Sequence, residues 1–473
     1  MLRWLLSICL FGILYSACLG QSRPPNIIII LADDLGYGDL SCYDPSKFHT
    51  PLMDKLAAEG VRFTNCYAPF PYCAPSRATL LTGRYPFRHG LQANPVPGAD
   101  PLVKNADQLG LPTSEITLAR LLQERGYATF AIGKWHLGHR PEFWPTKHGF
   151  DHYYGIPYSN DMHPVRLYED EKLVEYPVVQ ATLTRRYTER ALQFIRSHRG
   201  RAFFLYLAHA MPHKPLACSE DFYRRTGKGL YADVLAELDW SCGRIIEELR
   251  CLGLDSNTLV IFTSDNGPWY GGNTGGLRGM KGQTWEGGVR VPLIFWMPGR
   301  VPAGKTIAEP VMLADIFATC LNLAGIQPPQ DRKIDGCELW PLIWTGKPLP
   351  REAIYIFRGP QLMAVRQGKW KLHLAAPQPA KFKLYKPGDP YTDPRGPDGV
   401  RILAPYEQAH PSQFPGLTHG DPVTDIGLFD LEKDPGEQLN LADKHPEIVG
   451  QLSQLAEKIR REMREEAQRR ASK

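Results

Sequence analysis

The sequence predicts an α/β fold, a large and mostly parallel sheet with helices on both faces, followed by a smaller C-terminal α+β domain with a short antiparallel sheet. Three observations point there. Continuous β-branched runs such as NIIIILA at 26–32 alternate with helical stretches, the order that βαβ units require. The chain has 473 residues, 43% hydrophobic and 22% charged, so it can bury a large core and is not intrinsically disordered. After about Pro348 the texture changes, and 375–422 is rich in Pro, Gly, Asp and Lys between strand-like pieces (LMAVRQ, KWKLHL).

Taken in order, Met1 to Gly20 carries Arg3, an apolar run from Trp4 to Leu14 and then Ser16-Ala17-Cys18. This is the charge order of a secretory signal peptide, and the run is too short to span a bilayer. Ser-Ala-Cys also fits the end of a bacterial lipoprotein signal, with Cys18 as the acylated residue. The mature protein is therefore expected to be exported: periplasmic, extracellular or lipid-anchored. The larger domain is expected over 21–348 and the smaller over 349–473. Asn26 to Ala32 reads as a strand buried on both faces. Thr50-Pro51 reads as cap and first turn of a helix that Gly60 closes. Helices are expected at 118–124, 185–197, 231–249 and 446–471, and strands at 127–133, 202–208, 258–263 and 291–296. No other apolar stretch reaches membrane-spanning length.

The charge is +5, of which the tail from Glu457 supplies +3, so the body is near neutral. That argues against a nucleic-acid binder, which neutralises phosphates with a basic face. Outside the leader there are eight cysteines and no CxxC pair, so neither a zinc site nor a disulfide scaffold is expected. If Cys73 is reserved for chemistry, seven remain, and an odd number leaves at least one thiol unpaired. No Asn-x-Ser/Thr sequon is present for an N-glycan.

Several expected strands end in polar clusters: Asp33-Asp34 after IIIILA, Asp265-Asn266 after VIFTS, Lys134-Trp135-His136 after FAIG, and His209 and His213 after FFLYLA. In open α/β sheets, ligands sit beyond the carboxyl ends of the strands. Asp33-Asp34 alone could be a turn or cap pair. With Asp265-Asn266 at a second strand end, an all-oxygen site for a hard cation, Ca²⁺ or Mg²⁺, becomes the better reading.

The most specific segment is Cys73-Ala74-Pro75-Ser76-Arg77, continuing to Arg84 as ATLLTGR. CxPSRxxxLTGR resembles the signature of formylglycine-dependent sulfatases, closest to the arylsulfatase A and N-acetylgalactosamine-6-sulfatase branch. NIIIILADDLGYGDL, GKWHLG, HAMPHKP, SDNG, GMKGQTWEGGVRVP and GLFDLEKDPGEQ follow the same family order, covering about 25–445. The resemblance implies an alkaline-phosphatase-like fold and hydrolysis of sulfate monoesters. The natural substrate would be a sulfated carbohydrate, with a sulfated small molecule or oligosaccharide as the partner and aryl sulfates as artificial substrates.

It further implies that a formylglycine-generating enzyme oxidises Cys73 to formylglycine. One hydroxyl of the aldehyde hydrate would attack sulfur, and the other would let the hemiacetal collapse and expel sulfate, an exit closed to serine. Asp33, Asp34, Asp265 and Asn266 would hold Ca²⁺, with Mg²⁺ the alternative, and a formylglycine oxygen from residue 73 would complete the sphere. Arg77 would steady the hydrate, Lys134 and Lys281 would hold sulfate oxygens, His136 would orient the formylglycine, and His213 would protonate the leaving alcohol. Ser159 is a weaker match, and His373 is a candidate substrate contact from the second domain.

Duller alternatives stand beside these. Lys134 and Lys281 could be solvated, Trp135 could be core packing, and His209 could be the donor in place of His213. The aromatic run from Phe143 to Tyr158 could line a sugar subsite or pack under a loop. Competing functions are a phosphomonoester or phosphonate-ester hydrolase of the same superfold, and a non-catalytic carbohydrate-binding surface protein. Oligomeric state is not legible.

Overall fold

The computed structural model describes residues 23–98, 105–162, 165–378, 410, 412 and 416–471. The expected leader with Cys18, and most of the 375–422 stretch, lie outside them.

The strands are β1 (Asn26–Ala32), β2 (Val61–Tyr67), β3 (Ala128–Gly133), β4 (His152–Gly155), β5 (Leu167–Glu169), β6 (Lys172–Glu175), β7 (Phe203–Ala208), β8 (Thr258–Ser264), β9 (Arg290–Trp296), β10 (Lys305–Ile307) and β11 (Val311–Met312). They form one sheet in the order β10-β2-β9-β8-β1-β7-β3-β4-β5-β6, with β11 also beside β2. The centre, β8-β1-β7-β3-β4, is parallel. β9 runs antiparallel to both β8 and β2, so the sheet is mixed. The reason is the connection. β8 and β9 are joined by a long excursion, 265–289, that stays at the carboxyl end of β8, and the chain re-enters the sheet from that end.

β1 is buried throughout, and its side chains divide by parity as a pleated strand demands. Ile28, Ile30 and Ala32 pack with residues of the helices Leu183–Ser197 and Leu230–Cys251, among them Tyr187, Ile195, Val234, Leu238 and Ile245. Ile27, Ile29 and Leu31 face the other way, towards Ala78, Leu81, Leu118, Leu122, Ile316 and Phe317. Each fully buried Ile or Leu contributes roughly 1.5–3 kcal/mol, so a strand apolar on both faces is held between two cores.

The helix at 51–58 differs from expectation in its cap. Thr50 makes no side-chain bond to the helix N–H groups; its hydroxyl instead accepts from Ser41 N at 2.9 Å. Asp239, 186 residues on from Met53, accepts from Leu52 N and Met53 N at 3.0 and 2.8 Å.

The C-terminal sheet is an antiparallel meander of β12 (Ile354–Arg358), β13 (Gln361–Gln367), β14 (Trp370–His373) and β15 (Gly427–Asp430), covered by the helix Pro446–Ala471. Its core is shared: Ile354, Ile356 and Val365 cluster with Leu452 and Ile459, and also with Tyr67, Phe70, Val289 and Met312 of the larger part. Among the described residues all eight cysteines are free thiols, and no helix is long and apolar enough to cross a membrane.

Candidate active site

The chemistry-bearing residues converge at the carboxyl ends of β1, β3, β7 and β8. Successive residues of a strand point to opposite faces, yet Asp33 and Asp34 both turn into the site. Asp34 takes a left-handed conformation, φ 62°, which Asp tolerates better than most residues and which breaks the alternation. Its N–H donates to Asp265 Oδ1 at 3.1 Å, and Ser264 Oγ accepts from Leu35 N at 3.0 Å while donating to Asn266 O at 2.9 Å. The two strand ends are thus stitched together.

Cys73 is the first residue of the helix Cys73–Thr82 and is fully buried. Its neighbours explain the motif. Ala74 N is capped by Asn94 Oδ1 at 3.0 Å, Pro75 sits in the first turn where no backbone donor is needed, and Ser76 Oγ donates to Phe70 O at 2.7 Å. Arg77, one turn on, donates from Nε to Asp265 Oδ2 at 2.8 Å and from Nη1 to Lys134 O at 2.7 Å, with Nη2 3.1 Å from Asp33 Oδ1. Cys73 Sγ lies 3.9 Å from Asp34 Oδ1, 3.5 Å from Lys134 Nζ and 3.4 Å from Lys281 Nζ. Lys134 Nζ also reaches Asp33 Oδ2 at 2.5 Å and Ser159 Oγ at 3.0 Å. Lys281 Nζ reaches Asp34 Oδ1 at 2.7 Å. Neither lysine is solvated; both are buried.

His213 Nδ1 faces Lys214 O at 2.6 Å, so we assign its neutral-form proton to Nδ1, leaving Nε2 turned to the site. Nε2 is 3.5 Å from Ser159 Oγ and 3.6 Å from Asp34 Oδ2. Asn160 Nδ2 donates to His213 O and Pro215 O, both at 3.3 Å, and holds that loop. His136, φ 59°, has Nε2 3.2 Å from Pro95 O, and its Nδ1 is buried without a partner.

Electrostatics follow from burying many charges together. Burial works against ionising Asp33, but Lys134 and Arg77, with His213 and Lys281, hold its carboxyl well below the usual range. Asp265 goes the other way, pushed up to about 7 by burial and by Asp33. Burial, then Asp33, raises the Cys73 thiol well above its ordinary value, so this cysteine is no ready thiolate. Burial, then Lys281, lowers His213 to about 3. Burial, then Lys134, holds His136 well below its ordinary value.

Donor atoms of Asp33, Asp34, Cys73 and Asp265 lie within 4.8 Å of one another. Asp33 Oδ1 and Asn266 Oδ1 are buried without a hydrogen bond. Asn266 now turns its NH₂ to Asp34 Oδ1 at 2.8 Å, and rotation of the amide would exchange that nitrogen for oxygen. The oxygens of these carboxylates and of Asn266, two of them without a hydrogen bond among the described residues, fit a hard divalent cation.

Other sequence candidates lie apart. His209 Nε2 is 3.1 Å from Ser241 Oγ, among the packing of the helix 230–251. Trp135 and Phe150 pack edge to face, Phe150 stacks on Phe204, and the aromatic run is core rather than an open subsite. His373, on β14, has Nε2 2.6 Å from Glu437 Oε1 and packs on Trp285 and Phe429. The structure places it in a buried cluster with Lys371 and Glu286, separate from Cys73. Asn94, Asn160 and Glu437 were not singled out from sequence; no spacing rule marks a lone Asn or Glu whose partners are remote in the chain.

Residues 25–326 match the Sulfatase family profile, and 349–472 match the C-terminal region of aryl-sulfatase. The chain belongs to the sulfatase family. The sulfatase is 37% identical over 464 residues to N-acetylgalactosamine-6-sulfatase of Rattus norvegicus, covering 93% of this chain and 86% of the relative. It is 39% identical over 484 residues to human arylsulfatase A, covering 93% and 88%. Among solved structures it resembles the PsFucS1 sulfatase from Pseudoalteromonas sp., with 26% identity, TM-score 0.76 and coverage of 94% and 91%. It also resembles Ps i-CgsB in complex with k-i-k-neocarrahexaose, with 29% identity, TM-score 0.74 and 92% of each chain. The protein is therefore a sulfuric ester hydrolase, and neither the phosphoester nor the non-catalytic reading is favoured. The family implies a metal ion and a formylglycine.

Proposed function

We propose that this sulfatase removes sulfate from sulfated carbohydrates, using a formylglycine made from Cys73 and Ca²⁺ held by Asp33, Asp34, Asp265 and Asn266. One observation carries the reading: a buried Cys73 Sγ lies within 3.5 Å of both lysine ammoniums and against the three carboxylates of Asp33, Asp34 and Asp265, in a motif of modifiable sequence. A carbohydrate substrate is supported by relatives that are N-acetylgalactosamine-6-sulfatases and by the resemblance to a protein solved with a neocarrahexaose.

When bound, the cation would neutralise sulfate charge and lower the pKa of a hydroxyl at residue 73, and the aldehyde hydrate would supply that hydroxyl and the route of sulfate release. The chain's own residues do the rest. Lys134 and Lys281, fixed by Asp33 and Asp34, present two positive charges where sulfate oxygens gather charge. Arg77 orients two of the carboxylates. His213 directs Nε2 at the leaving oxygen; burial and Lys281 keep it neutral in the resting site, and as the anionic ester enters, Nε2 takes up one proton from solvent and passes it to the leaving oxygen, returning the ring to its neutral form. Burial excludes bulk water from the reacting atoms. The mature enzyme acts after export, in keeping with the leader-like first twenty residues.

The test is inorganic sulfate release from a panel of sulfated oligosaccharides, with Cys73→Ala and chelated enzyme as controls, and mass spectrometry of the residue-73 peptide from the native host. An aldehyde at residue 73 is expected, with activity lost in both controls and restored to the chelated enzyme by Ca²⁺. An unmodified thiol in active enzyme, or retained activity in Cys73→Ala, would overturn it.

A further inference from the structure

Lys281 lies in the later half of the excursion between β8 and β9, between two left-handed glycines, Gly279 and Gly282, both at φ 83°. At each, an added Cβ would meet a neighbour, Trp285 Cβ at 2.6 Å and Tyr72 Oη at 2.9 Å, so the path here is tightly defined. The larger part supplies two backbone anchors, Lys281 N donating to Pro268 O and Gly282 N to Pro71 O, both at 2.9 Å, and a lysine with much rotamer freedom needs its flanking stems fixed as well.

The C-terminal part grips the excursion on both sides of Lys281. Before it, Arg278 Nη1 donates to Glu437 O at 2.8 Å and Asp421 O at 3.0 Å, with its guanidinium 3.8 Å over the Trp285 ring. After it, Lys371 Nζ donates to Thr284 O at 2.8 Å, and Thr284 N donates to Pro377 O at 2.9 Å. Glu437 Oε2 accepts from Glu286 N at 2.6 Å, while its other oxygen takes Lys371 at 3.0 Å and His373 at 2.6 Å. Lys371 also pairs with Glu286 at 3.0 Å, and Tyr67 donates to Glu286 Oε2 at 2.6 Å. Glu437, Glu286, Lys371 and His373 are fully buried, so this ionic knot is dry and stiff, and its members are costly to separate.

We propose that Glu437 is a positioning residue for Lys281: through Arg278 and Glu286 the C-terminal part fixes both stems of the excursion, and so holds the ammonium against Asp34 and residue 73. This assigns the small antiparallel sheet a part in building the anion site, and gives His373 a place in the knot. It rests on the proposed role of Lys281 only for its effect on turnover.

The test is Glu437→Gln in the full-length enzyme, labelled briefly with an acetylating reagent and mapped by mass spectrometry, with Lys134 as internal reference. Lys134 lies on the β3 connection and takes no contact from the knot. The expected result is a rise of about fivefold or more in Lys281 labelling relative to Lys134, with a fall in kcat/KM for p-nitrophenyl sulfate. Arg278→Gln, at the less buried end of the grip, should shift the same ratio in the same direction and decides the matter should Glu437→Gln fail to fold. Labelling that rises equally at both lysines, or at neither, would overturn the proposal. The labelling reads where Lys281 is held whatever its chemistry: a shifted ratio with unchanged turnover would leave the positioning intact and count against the role of Lys281 instead.

Discussion

Replacing Arg77 with Met should cost the fold more than almost any other single change at the site. Arg77 is wholly buried and joins two wholly buried carboxylates, with Nη2 3.1 Å from Asp33 Oδ1 and Nε 2.8 Å from Asp265 Oδ2. Asp33 keeps Lys134 at 2.5 Å, so Asp265 is the carboxylate left, among the described residues, with only the Asp34 N–H. Removing one partner of a buried pair costs about 3–5 kcal/mol, a large share of the roughly 5–15 kcal/mol that holds a domain folded. The sign with pH is set by Asp265, already pushed up to about 7. A raised carboxylate pKa means that stability falls as pH climbs from the unfolded value to the folded one. Without Arg77 the folded value rises further, so the variant relieves itself at low pH by taking a proton and suffers most at high pH. Urea unfolding in chelator at pH 6 and pH 9 reads both effects. Arg77→Lys should be intermediate, since one ammonium cannot span Asp33, Asp265 and Lys134 O together. A loss below about 1 kcal/mol for Arg77→Met at pH 9, or a larger loss at pH 6, would refute this account of the site.

Other outcomes follow from the same geometry. His213→Gln should lower turnover by about 10²–10⁴ for sugar sulfates and far less for p-nitrophenyl sulfate, whose leaving group needs no proton; equal losses on both would remove His213 as the donor. His209, buried against Ser241, is lowered to about 3, so the folded state refuses a proton that the unfolded chain takes below about 6.5. Its stabilising effect is present above that pH and declines towards pH 3, by about 2 kcal/mol between pH 6.5 and 5. Chemical unfolding of His209→Gln should show a correspondingly flatter acid slope, and an unchanged slope would refute the burial argument. Asp239→Ala should cost about 1–2 kcal/mol by leaving Leu52 and Met53 N–H uncapped, measured by the shift in urea midpoint, whereas Thr50→Ala should not reproduce it through lost capping.

Much of this enzyme could be read from its residues in order. NIIIILA carries its two-faced burial in its residues, because a short β-branched run with no polar face suits a central strand between two helix layers. The polar clusters after strands were legible for a related reason: neighbouring parallel strands end at the same edge, so Asp33, Lys134, His213 and Asp265 are placed together by topology before any side-chain detail is known. Folding in three dimensions settled what depends on partners distant along the chain. The direction of β9 followed from the path of the 265–289 excursion, the cap of the 51–58 helix came from Asp239 rather than Thr50, and the stretch after Lys281 is held by Glu437 and Lys371 of the C-terminal part through Glu286 N and Thr284 O. Local pattern reports backbone preference and side-chain period; buried polar groups take whichever partner packing brings within hydrogen-bond reach, and that choice is made only when the whole chain closes on itself.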